Sequence, residues 1–400
     1  SLTLMAALTV VVLLAGCGDR AELWSQELKL LGPYKVGANA VWVDQTRGLL
    51  FALDPGNGSP GVRSVKIKRN ATYVLPSPTG KELLILSDGV EAVRKEQTPE
   101  QPGLTQVNFT AGPKVTRFYA MTAPLNRLSV SADGRYAVAF NAATSNSSGV
   151  FRNPNEIAVI DLSADPASGT NPRMRTLRSF GTNPVGVTLS PEMAVPASTG
   201  AKRTLAVVLA DNQLNLLDMS HPERSEITVP LTTLGSSALV QPKEVLFSTA
   251  TGSIFVRASG VQDLYALQLV GKTASGKGND FLPIINQPGS GKTTNDMVLV
   301  TDGGKDLILT ANASKDLSLI EASTSQASVI TVGEPVDTIL ALPPKNPTVA
   351  LIYSRSSPQS RIHFLTLKDL STNLSKNLTS RTLSQPVHQV MAVSSSDNER

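Results

Sequence analysis

The chain has 400 residues, of which 41% are apolar and 17% are charged. This composition supplies enough apolar side chains for a buried core and excludes a disordered charged tail. The 36 basic and 32 acidic residues leave a formal net charge of +4, which gives no electrostatic reason to expect nucleic acid as a partner. The single cysteine, Cys17, excludes a disulfide framework and a multi-cysteine metal cluster.

The first feature in chain order is an apolar run that ends at this cysteine. Residues 2–16 are almost all apolar, and the run closes with Leu14-Ala15-Gly16-Cys17. It is too short to span a bilayer comfortably, and its small closing residues are typical of the cleavage site of a secretory signal. The segment resembles the bacterial lipoprotein signal with its Leu-Ala-Gly-Cys lipobox. The resemblance implies a signal peptide at residues 1–16 and a lipid on Cys17.

This resemblance also predicts a location in the bacterial cell envelope, with residues 17–26 as a lipidated tether. Two or three acyl chains hold a protein firmly, because each buried methylene contributes about 0.8 kcal/mol. In lipoproteins an aspartate directly after the cysteine favours the inner membrane; here Gly18 precedes Asp19, so we expect the outer membrane. The alternative is an ordinary signal peptide with an incidental cysteine. Because Ser1 opens the sequence without a methionine or a basic segment, we expect a longer natural chain.

After the tether, the sequence repeats a β-type unit. In the clearest copy, the apolar run at 128–130 leads through Ser131-Ala-Asp-Gly134 into a second apolar run at 136–140. A third run follows at 156–162 and a fourth at 174–180. Further turns of this kind occur at residues 44–48, 77–80, 190–191, 248–252, 301–304 and 343–346, and a last unit begins at Val390. Four short strands in a repeat of about 50 residues predict an all-β propeller of four-stranded antiparallel blades.

The units resemble the YVTN-type repeat of lactonase-like and WD40-like propellers. Residues 131–136, 155–162 and 211–219 carry the likeness. It implies a β-propeller over residues 27–400 and supports the fold far more than any activity.

The spacing of the turns predicts the number of blades and how the ring closes. Eight turns can be counted, but the interval from Asp44 to Ser77 is short enough to lack a strand, so we expect seven or eight blades. Residues 27–31 are a candidate strand for closing the ring, because propellers remove sheet edges by joining their termini. Since Val390 starts a unit that has no further strands, we expect truncation at the C-terminus.

Polar side chains recur where the second strand of each unit is expected to end. They are Asp54, Asp88, Asn141, Asp211, Ser259, Asn312 and Ser354. In a propeller these positions fall on one face, so Asp88, Asn141, Asp211, Asn312 and Ser354 are candidate ligand-binding residues. The lactonase-like resemblance implies that acidic and amide residues of this kind can hold a divalent metal. The alternative is structural, because Asp, Asn and Ser form turns by bonding to their own backbone.

Two segments approach the pattern of a phosphate-binding loop. Residues 271–278 have the spacing but lack the final Ser or Thr, and residues 288–293 lack the first glycine. Neither is followed by a helical pattern, and the phosphate cradle needs a helix N-terminus. We therefore expect no nucleotide cofactor, and no multi-residue nucleophilic site is visible.

The function that these features favour is a membrane-anchored envelope lipoprotein whose propeller is a protein-binding or assembly platform. The polar insertions at 97–105, 142–154, 192–202 and 354–361 are candidate recognition loops, because a rigid scaffold presents such loops to partners. The first alternative is a lactonase-like metal-dependent hydrolase. The second is a carbohydrate or cell-wall-binding module, which the low aromatic content of 4% disfavours.

Overall fold

The structure is a computed structural model of the 400-residue chain. It describes residues 28–56, 61–91, 99–142, 153–166, 170–178, 184–195, 200–231, 239–273, 278–289, 291–312, 314–343, 346–357, 359–370 and 377–387. Within these ranges there is no helix that is both long enough and apolar enough to cross a membrane. The chain divides into two compact units, Ser1–Thr176 and Leu177–Arg400.

The first unit contains twelve described strands in three sheets. They are β1 (Leu30–Val36), β2 (Asn39–Asp44), β3 (Leu49–Asp54), β4 (Gly61–Lys66), β5 (Ala71–Pro76), β6 (Glu82–Ser87), β7 (Gly103–Asn108), β8 (Lys114–Ala120), β9 (Arg127–Val130), β10 (Tyr136–Phe140), β11 (Glu156–Asp161) and β12 (Arg173–Thr176).

The second unit contains eighteen described strands. They are β13 (Pro184–Leu189), β14 (Met193–Ala194), β15 (Lys202–Arg203), β16 (Leu205–Ala210), β17 (Gln213–Asp218), β18 (Ile227–Pro230), β19 (Gln241–Ser248), β20 (Ser253–Ser259), β21 (Tyr265–Gly271), β22 (Phe281–Asn286), β23 (Asp296–Asp302), β24 (Lys305–Ala311), β25 (Ser314–Glu321), β26 (Ala327–Val336), β27 (Thr338–Leu342), β28 (Val349–Tyr353), β29 (Arg361–Thr366) and β30 (Leu378–Thr382).

These strands form seven four-stranded sheets among the described residues. In each sheet, strands that follow one another in sequence pair antiparallel; in the fourth sheet the two-stranded hairpin β14–β15 interrupts the order between β13 and β16. We number the sheets 1 to 7 in chain order. Repeated antiparallel sheets of four strands are the blades of a β-propeller. The fold is therefore the all-β propeller that the sequence predicts, and seven blades lie within the described residues.

The two central strands of a sheet are buried on both faces, as β6 shows. Leu83 and Ile85 pack with residues of sheet 1, whereas Leu84 and Leu86 pack with residues of sheet 3. Side chains alternate between the faces of a strand, so one strand supplies both cores. This explains why the central strands appear in the sequence as continuous apolar runs.

The predicted turns are formed by local hydrogen bonds of serine and glycine. Ser131 accepts a bond from Gly134 N through its carbonyl (2.8 Å) and one from Tyr136 N through its hydroxyl (2.9 Å). Gly134 has a φ of 73°, a conformation that glycine adopts without steric cost. Ser77 and Gly80 repeat the backbone bond at 2.8 Å between β5 and β6. The turn chemistry of the repeat is therefore encoded within a few residues.

The first sheet differs from the prediction. The turn at residues 44–48 joins β2 to β3 and is not the first turn of its blade. The first turn lies at Gly37-Ala38, which the sequence analysis missed, so sheet 1 is a complete four-stranded sheet. Consequently, Asp54 ends a third strand, and Asp44 is the residue that ends the second.

The prediction that residues 27–31 form a strand that closes the ring was also wrong. β1 begins at Leu30 and pairs with β2 of its own sheet, whereas β30 completes sheet 7 with residues of the C-terminal region. The unit expected at Val390 lies outside the described residues, as do the signal segment and Cys17.

A buried cluster of charges joins sheets 4 and 5 in the second unit. Arg203, with a side chain only 6% exposed, donates to Asp218 at 2.7 Å and to both oxygens of Asp280 at 2.7 and 2.5 Å. Arg224 also donates to Asp280 at 3.0 Å, and His221 lies 3.0 Å from Asp218. The hydrogen bonds from Arg203 lower the pKa of Asp280. The hairpin β14–β15 thus carries one arginine that holds two sheets together.

We predict that Arg203→Met lowers the free energy of unfolding by about 3–5 kcal/mol, because two carboxylates would lose their buried partner. Chemical denaturation at neutral pH measures this loss. Lys202→Met is the matched control, since Lys202 is the preceding residue and its side chain is 71% exposed; its unfolding free energy should change by less than about 0.5 kcal/mol. Equal losses in the two variants would contradict the role of Arg203.

Candidate functional site

The structure places most of the predicted polar residues where the sequence repeat puts them. Asp88, Asn141, Asp211 and Asn312 directly follow the second strands of sheets 2, 3, 4 and 6, and Ser354 follows that of sheet 7. Ser259 is the last residue of β20 in sheet 5. All six therefore lie at the end of their sheet where the second strand runs into the third.

Asn312 and Ser354 make hydrogen bonds within their own part of the structure. Asn312 donates to Ser318 Oγ at 2.8 Å and accepts from Thr310 Oγ1 at 3.0 Å, both side chains of the adjoining strands. Ser354 donates from its hydroxyl to Asp337 Oδ2 at 3.1 Å and accepts from Ser357 N at 3.0 Å. The bond to Ser357 N is of the kind that turn-forming side chains make, so Ser354 agrees with the structural interpretation.

The remaining candidates are distributed over both units. Asn141 in the first unit is 4% exposed and donates to the carbonyl of Asn153 at 2.9 Å. Asp88 N, also in the first unit, donates to the carbonyl of Asn70 at 2.9 Å. Asp211 opens the two-residue turn between β16 and β17 in the second unit. Across the described ranges, His, Cys, Asp and Glu side chains form no group of three or more that could hold a metal ion.

The second phosphate-loop-like segment connects β22 to β23. Gly291 N donates to Asp263 Oδ1 at 2.8 Å, and the Lys292 ammonium is hydrogen-bonded to Asp316. The segment continues into the strand that begins at Asp296. Its amide and its lysine are thus bound to carboxylates of the chain itself.

The second unit contains a set of ionisable side chains that sequence reasoning missed. We call Glu244, Arg257, Asp296, Asp337 and Arg355 the charged face. They lie on sheets 5, 6 and 7, where the first strands begin and the second strands end. This is the same end of these sheets at which Ser259, Asn312 and Ser354 lie.

Glu244 and Arg257 form the part of the charged face on sheet 5. They oppose each other across β19 and β20, just after a β-bulge at Pro242, and Arg257 Nε donates to Glu244 Oε2 at 2.9 Å. A bulge turns one side chain out of the regular alternation. Burial raises the pKa of Glu244 despite this pairing with Arg257, and the negative charge of Asp296 adds to the rise.

Asp296 is the first residue of β23 and contacts sheet 7. Its carboxylate accepts from Met297 N at 3.0 Å and from Ile339 N at 2.8 Å. Burial raises its pKa, against the lowering effect of those two amides and of the positive charges on Arg257 and Arg355. Both carboxyl groups are half-buried and have raised pKa values, and the charge of Asp296 contributes to the rise at Glu244 across neighbouring sheets.

Asp337 anchors the loop that follows β28. It is 8% exposed and accepts from Arg355 N at 2.8 Å, Ser356 N at 2.9 Å and Thr338 Oγ1 at 2.8 Å, and also from the hydroxyl of Ser356. Burial disfavours its ionisation, but these hydrogen bonds outweigh burial and lower its pKa to about 2. Asp337 thereby fixes the backbone position of Arg355, whose side chain donates to Tyr353 Oη at 3.3 Å.

The charged face combines the exposed Arg355 and the partly buried Arg257 with carboxylates that are half-buried or buried. Raised carboxyl pKa values that arise from burial and a like charge are characteristic of functional positions more than of ordinary surfaces. A positively charged group brought to Glu244 and Asp296 would stabilise their ionised forms. A sequence signal could have identified these two residues: an acidic residue recurs near the start of the first strand of sheets 5, 6 and 7.

No protein-family model matches the chain, and no curated protein matches it. Among solved structures, it is similar to dihydro-heme d1 dehydrogenase NirN at 12% identity and a TM-score of 0.45, over 84% of this chain and 63% of that one. The WD40 domain of Sif2 is similar at 11% identity and 0.43, over 90% and 89%. The periplasmic gluconolactonase PpgL of Pseudomonas aeruginosa is similar at 15% identity and 0.37, over 89% and 96%.

These comparisons do not define the activity. The chain spans less than two thirds of the length of NirN, and all three TM-scores are below 0.5. The fold assignment therefore depends on the sheets themselves, and the functional argument depends on the charged face.

We predict that Asp337→Asn lowers the free energy of unfolding by about 2 kcal/mol at pH 7, because charge-assisted hydrogen bonds are lost. The folded-state pKa of Asp337 is depressed, so its contribution is present above the ordinary value of 3.8 and disappears as the pH falls towards 2. The difference between wild type and variant should therefore narrow over that interval in urea titrations. A difference that is independent of pH would contradict this role.

Proposed function

We propose that the protein is a lipid-anchored component of the bacterial cell envelope that binds another envelope protein through the charged face. The propeller provides a rigid scaffold, and the charged face with its neighbouring loops provides recognition. In this proposal the protein acts by presenting a fixed arrangement of charges, and no chemical step is required.

The observation that carries the proposal is the grouping of half-buried carboxylates and arginines at one end of sheets 5 to 7, and the raised pKa values of Glu244 and Asp296 support it. Burying a carboxylate without full compensation costs folding free energy. That cost falls when a lysine or arginine of a partner approaches, because a nearby cation favours the ionised carboxylate. Complementary charges of this kind determine which partner binds and in which orientation.

The surroundings of the charged face support recognition of a protein. A polar cavity of about 410 Å³ lies at the same end of sheet 5, between residues 260–263 of the β20–β21 connection and Gln287 and Thr293 of the β22–β23 connection. The loop after β28, which Asp337 holds, is also at this end of the second unit. Loops on a rigid scaffold are where binding residues concentrate.

The anchor part of the proposal is supported by the lipobox that ends at Cys17. Leu30, the first residue of β1, comes only thirteen positions after this cysteine. A fully extended segment of that length reaches at most about 45 Å. The propeller would therefore stay close to the membrane surface that holds the lipid.

To test the binding face, a photo-crosslinking amino acid replaces the exposed Lys243, which neighbours Glu244, in intact cells. We expect one discrete protein adduct, and we expect Glu244→Gln to reduce its yield several-fold because the charge that attracts a cationic partner is gone. The raised pKa of Glu244 means that ionisation of this carboxyl group lowers the free energy of unfolding. The neutral glutamine should therefore not destabilise the protein at neutral pH.

Glu321→Gln is the control for this experiment. Glu321 pairs with Lys305 at 3.2 Å, but it ends β25 where β24 begins, which is the end of sheet 6 opposite to the charged face. This variant should leave the adduct unchanged. Absence of a discrete adduct, or equal loss with both variants, would contradict binding at the charged face.

A second test addresses the anchor. We expect Cys17→Ser to abolish incorporation of labelled fatty acid and to release the protein from the membrane fraction, because the serine hydroxyl does not replace the thiol as the lipid acceptor. Metabolic labelling followed by membrane fractionation measures both. Label that persists in the variant would show that Cys17 is not the lipidated residue.

A further inference from the structure

The fourth strands of the first unit share a distinctive charge pattern. β4 carries Arg63 and Lys66, β8 carries Lys114 and Arg117, and β12 carries Arg173 and Arg175. None of these three strands contains an acidic residue. Each is an edge strand of its sheet, so the first unit has edges of one charge sign.

The corresponding strands of the second unit lack this pattern. β18 and β22 contain no charged residue, β26 contains only Glu334, and β30 contains only Arg381. Lysine on an edge strand commonly protects against pairing with other chains. Protection against pairing would be needed equally at the fourth strands of the second unit, which contain no lysine. The basic edges of the first unit therefore call for a more specific explanation.

Two grooves lie between β4 and β8, and basic residues line both. One, of about 570 Å³, is lined by Arg63, Lys114 and the small residues of the β7–β8 turn. The other, of about 280 Å³, is lined by Lys66 and Lys68, with the ring of Phe118 at 4.9 Å from the Lys68 ammonium.

The single carboxylate in these two grooves is already neutralised within the chain. Glu100 accepts from Arg69 Nε at 3.0 Å and from Arg69 N at 3.0 Å; against the effect of burial, these hydrogen bonds and the charges of Arg69 and, to a smaller extent, Lys68 lower its pKa. Arg63, Lys66, Lys68 and Lys114 therefore remain as an excess of positive charge. We call these four residues the basic groove.

We propose that the basic groove docks the first unit onto a bilayer that contains anionic phospholipids. The inference deepens the proposed function and rests on its lipid anchor, because sheet 1 contains the first described strand after Cys17. Basic residues next to an anionic bilayer each strengthen attachment about fivefold. A lipid combined with a basic surface is a common two-signal mode of membrane attachment. Docking would fix the orientation of the first unit relative to the membrane.

The experiment uses the full lipid-bearing chain, incubated with vesicles of phosphatidylglycerol and phosphatidylethanolamine or with vesicles of phosphatidylcholine. Sedimentation measures attachment. Acylation of lysines by a water-soluble reagent, followed by mass spectrometry, measures contact of the basic groove. We expect Lys66, Lys68 and Lys114 to react at least about fivefold more slowly on the anionic vesicles, and high salt should remove the difference because it screens exposed charges.

Two variants test whether the groove itself is responsible. In Lys66→Glu/Lys114→Glu, both replaced residues are exposed, and Lys68 remains as the reporter. Its protection on anionic vesicles should disappear. Lys315→Glu/Lys368→Glu makes the same change in charge at exposed positions of the second unit and should leave the protection of Lys68 intact.

The outcomes separate the anchor from the groove. Attachment to both vesicle types without any anion-dependent protection of the three lysines would overturn the docking proposal while leaving the anchor in place. Salt-sensitive attachment to anionic vesicles alone, with protected lysines, would support the groove and refute the anchor. Equal loss of protection in both double variants would show a general charge effect and would overturn the proposal, as would protection by a soluble acidic protein but not by the anionic vesicles.

Discussion

The central strands of the sheets are largely buried on both faces, and the placement of polar and charged groups depends on how those faces are covered. In β6, alternate side chains enter two different cores, one shared with sheet 1 and one with sheet 3. In the second unit, one cluster likewise combines residues of sheets 4 and 5, and another combines residues of sheets 6 and 7. A single sheet of this kind cannot bury its own apolar surface, so neighbouring sheets stabilise one another.

This arrangement leaves the ends and edges of the sheets available for polar and charged groups. At the strand ends of sheets 5 to 7, Glu244 and Asp296 are held half-buried by the same packing that orders the strands. At the edges of the first unit, β4 and β8 are more exposed than the central strands and can carry lysine and arginine without desolvating them. The two proposed surfaces thus use different parts of the blade, strand ends for a protein partner and strand edges for a membrane.

The buried ion pairs of Arg203 show how charged side chains can serve the packing of neighbouring sheets. Arg203 reaches from a short hairpin inserted into sheet 4 to a carboxylate on the neighbouring sheet 5. Its two partners, Asp218 and Asp280, are 62 residues apart in the sequence, so this contact ties distant segments. Glu244 and Asp296 of the charged face differ, because burial raises their pKa values and hydrogen bonding does not overcome it.

The sequence by itself determined the all-β class, the four-stranded unit and most of the turns, because short apolar runs and Ser/Gly turn chemistry act over a few residues. The sequence placed the first turn of sheet 1 wrongly, at residues 44–48, because the two-residue turn at Gly37-Ala38 has little turn signature in the sequence. The charged face was decided only by the tertiary structure. Glu244 and Asp296 belong to different sheets, and the effect of the Asp296 charge on the pKa of Glu244 exists only once those sheets pack side by side. Likewise, the basic residues of β4 and β8 look scattered along the chain until strand pairing makes both strands sheet edges.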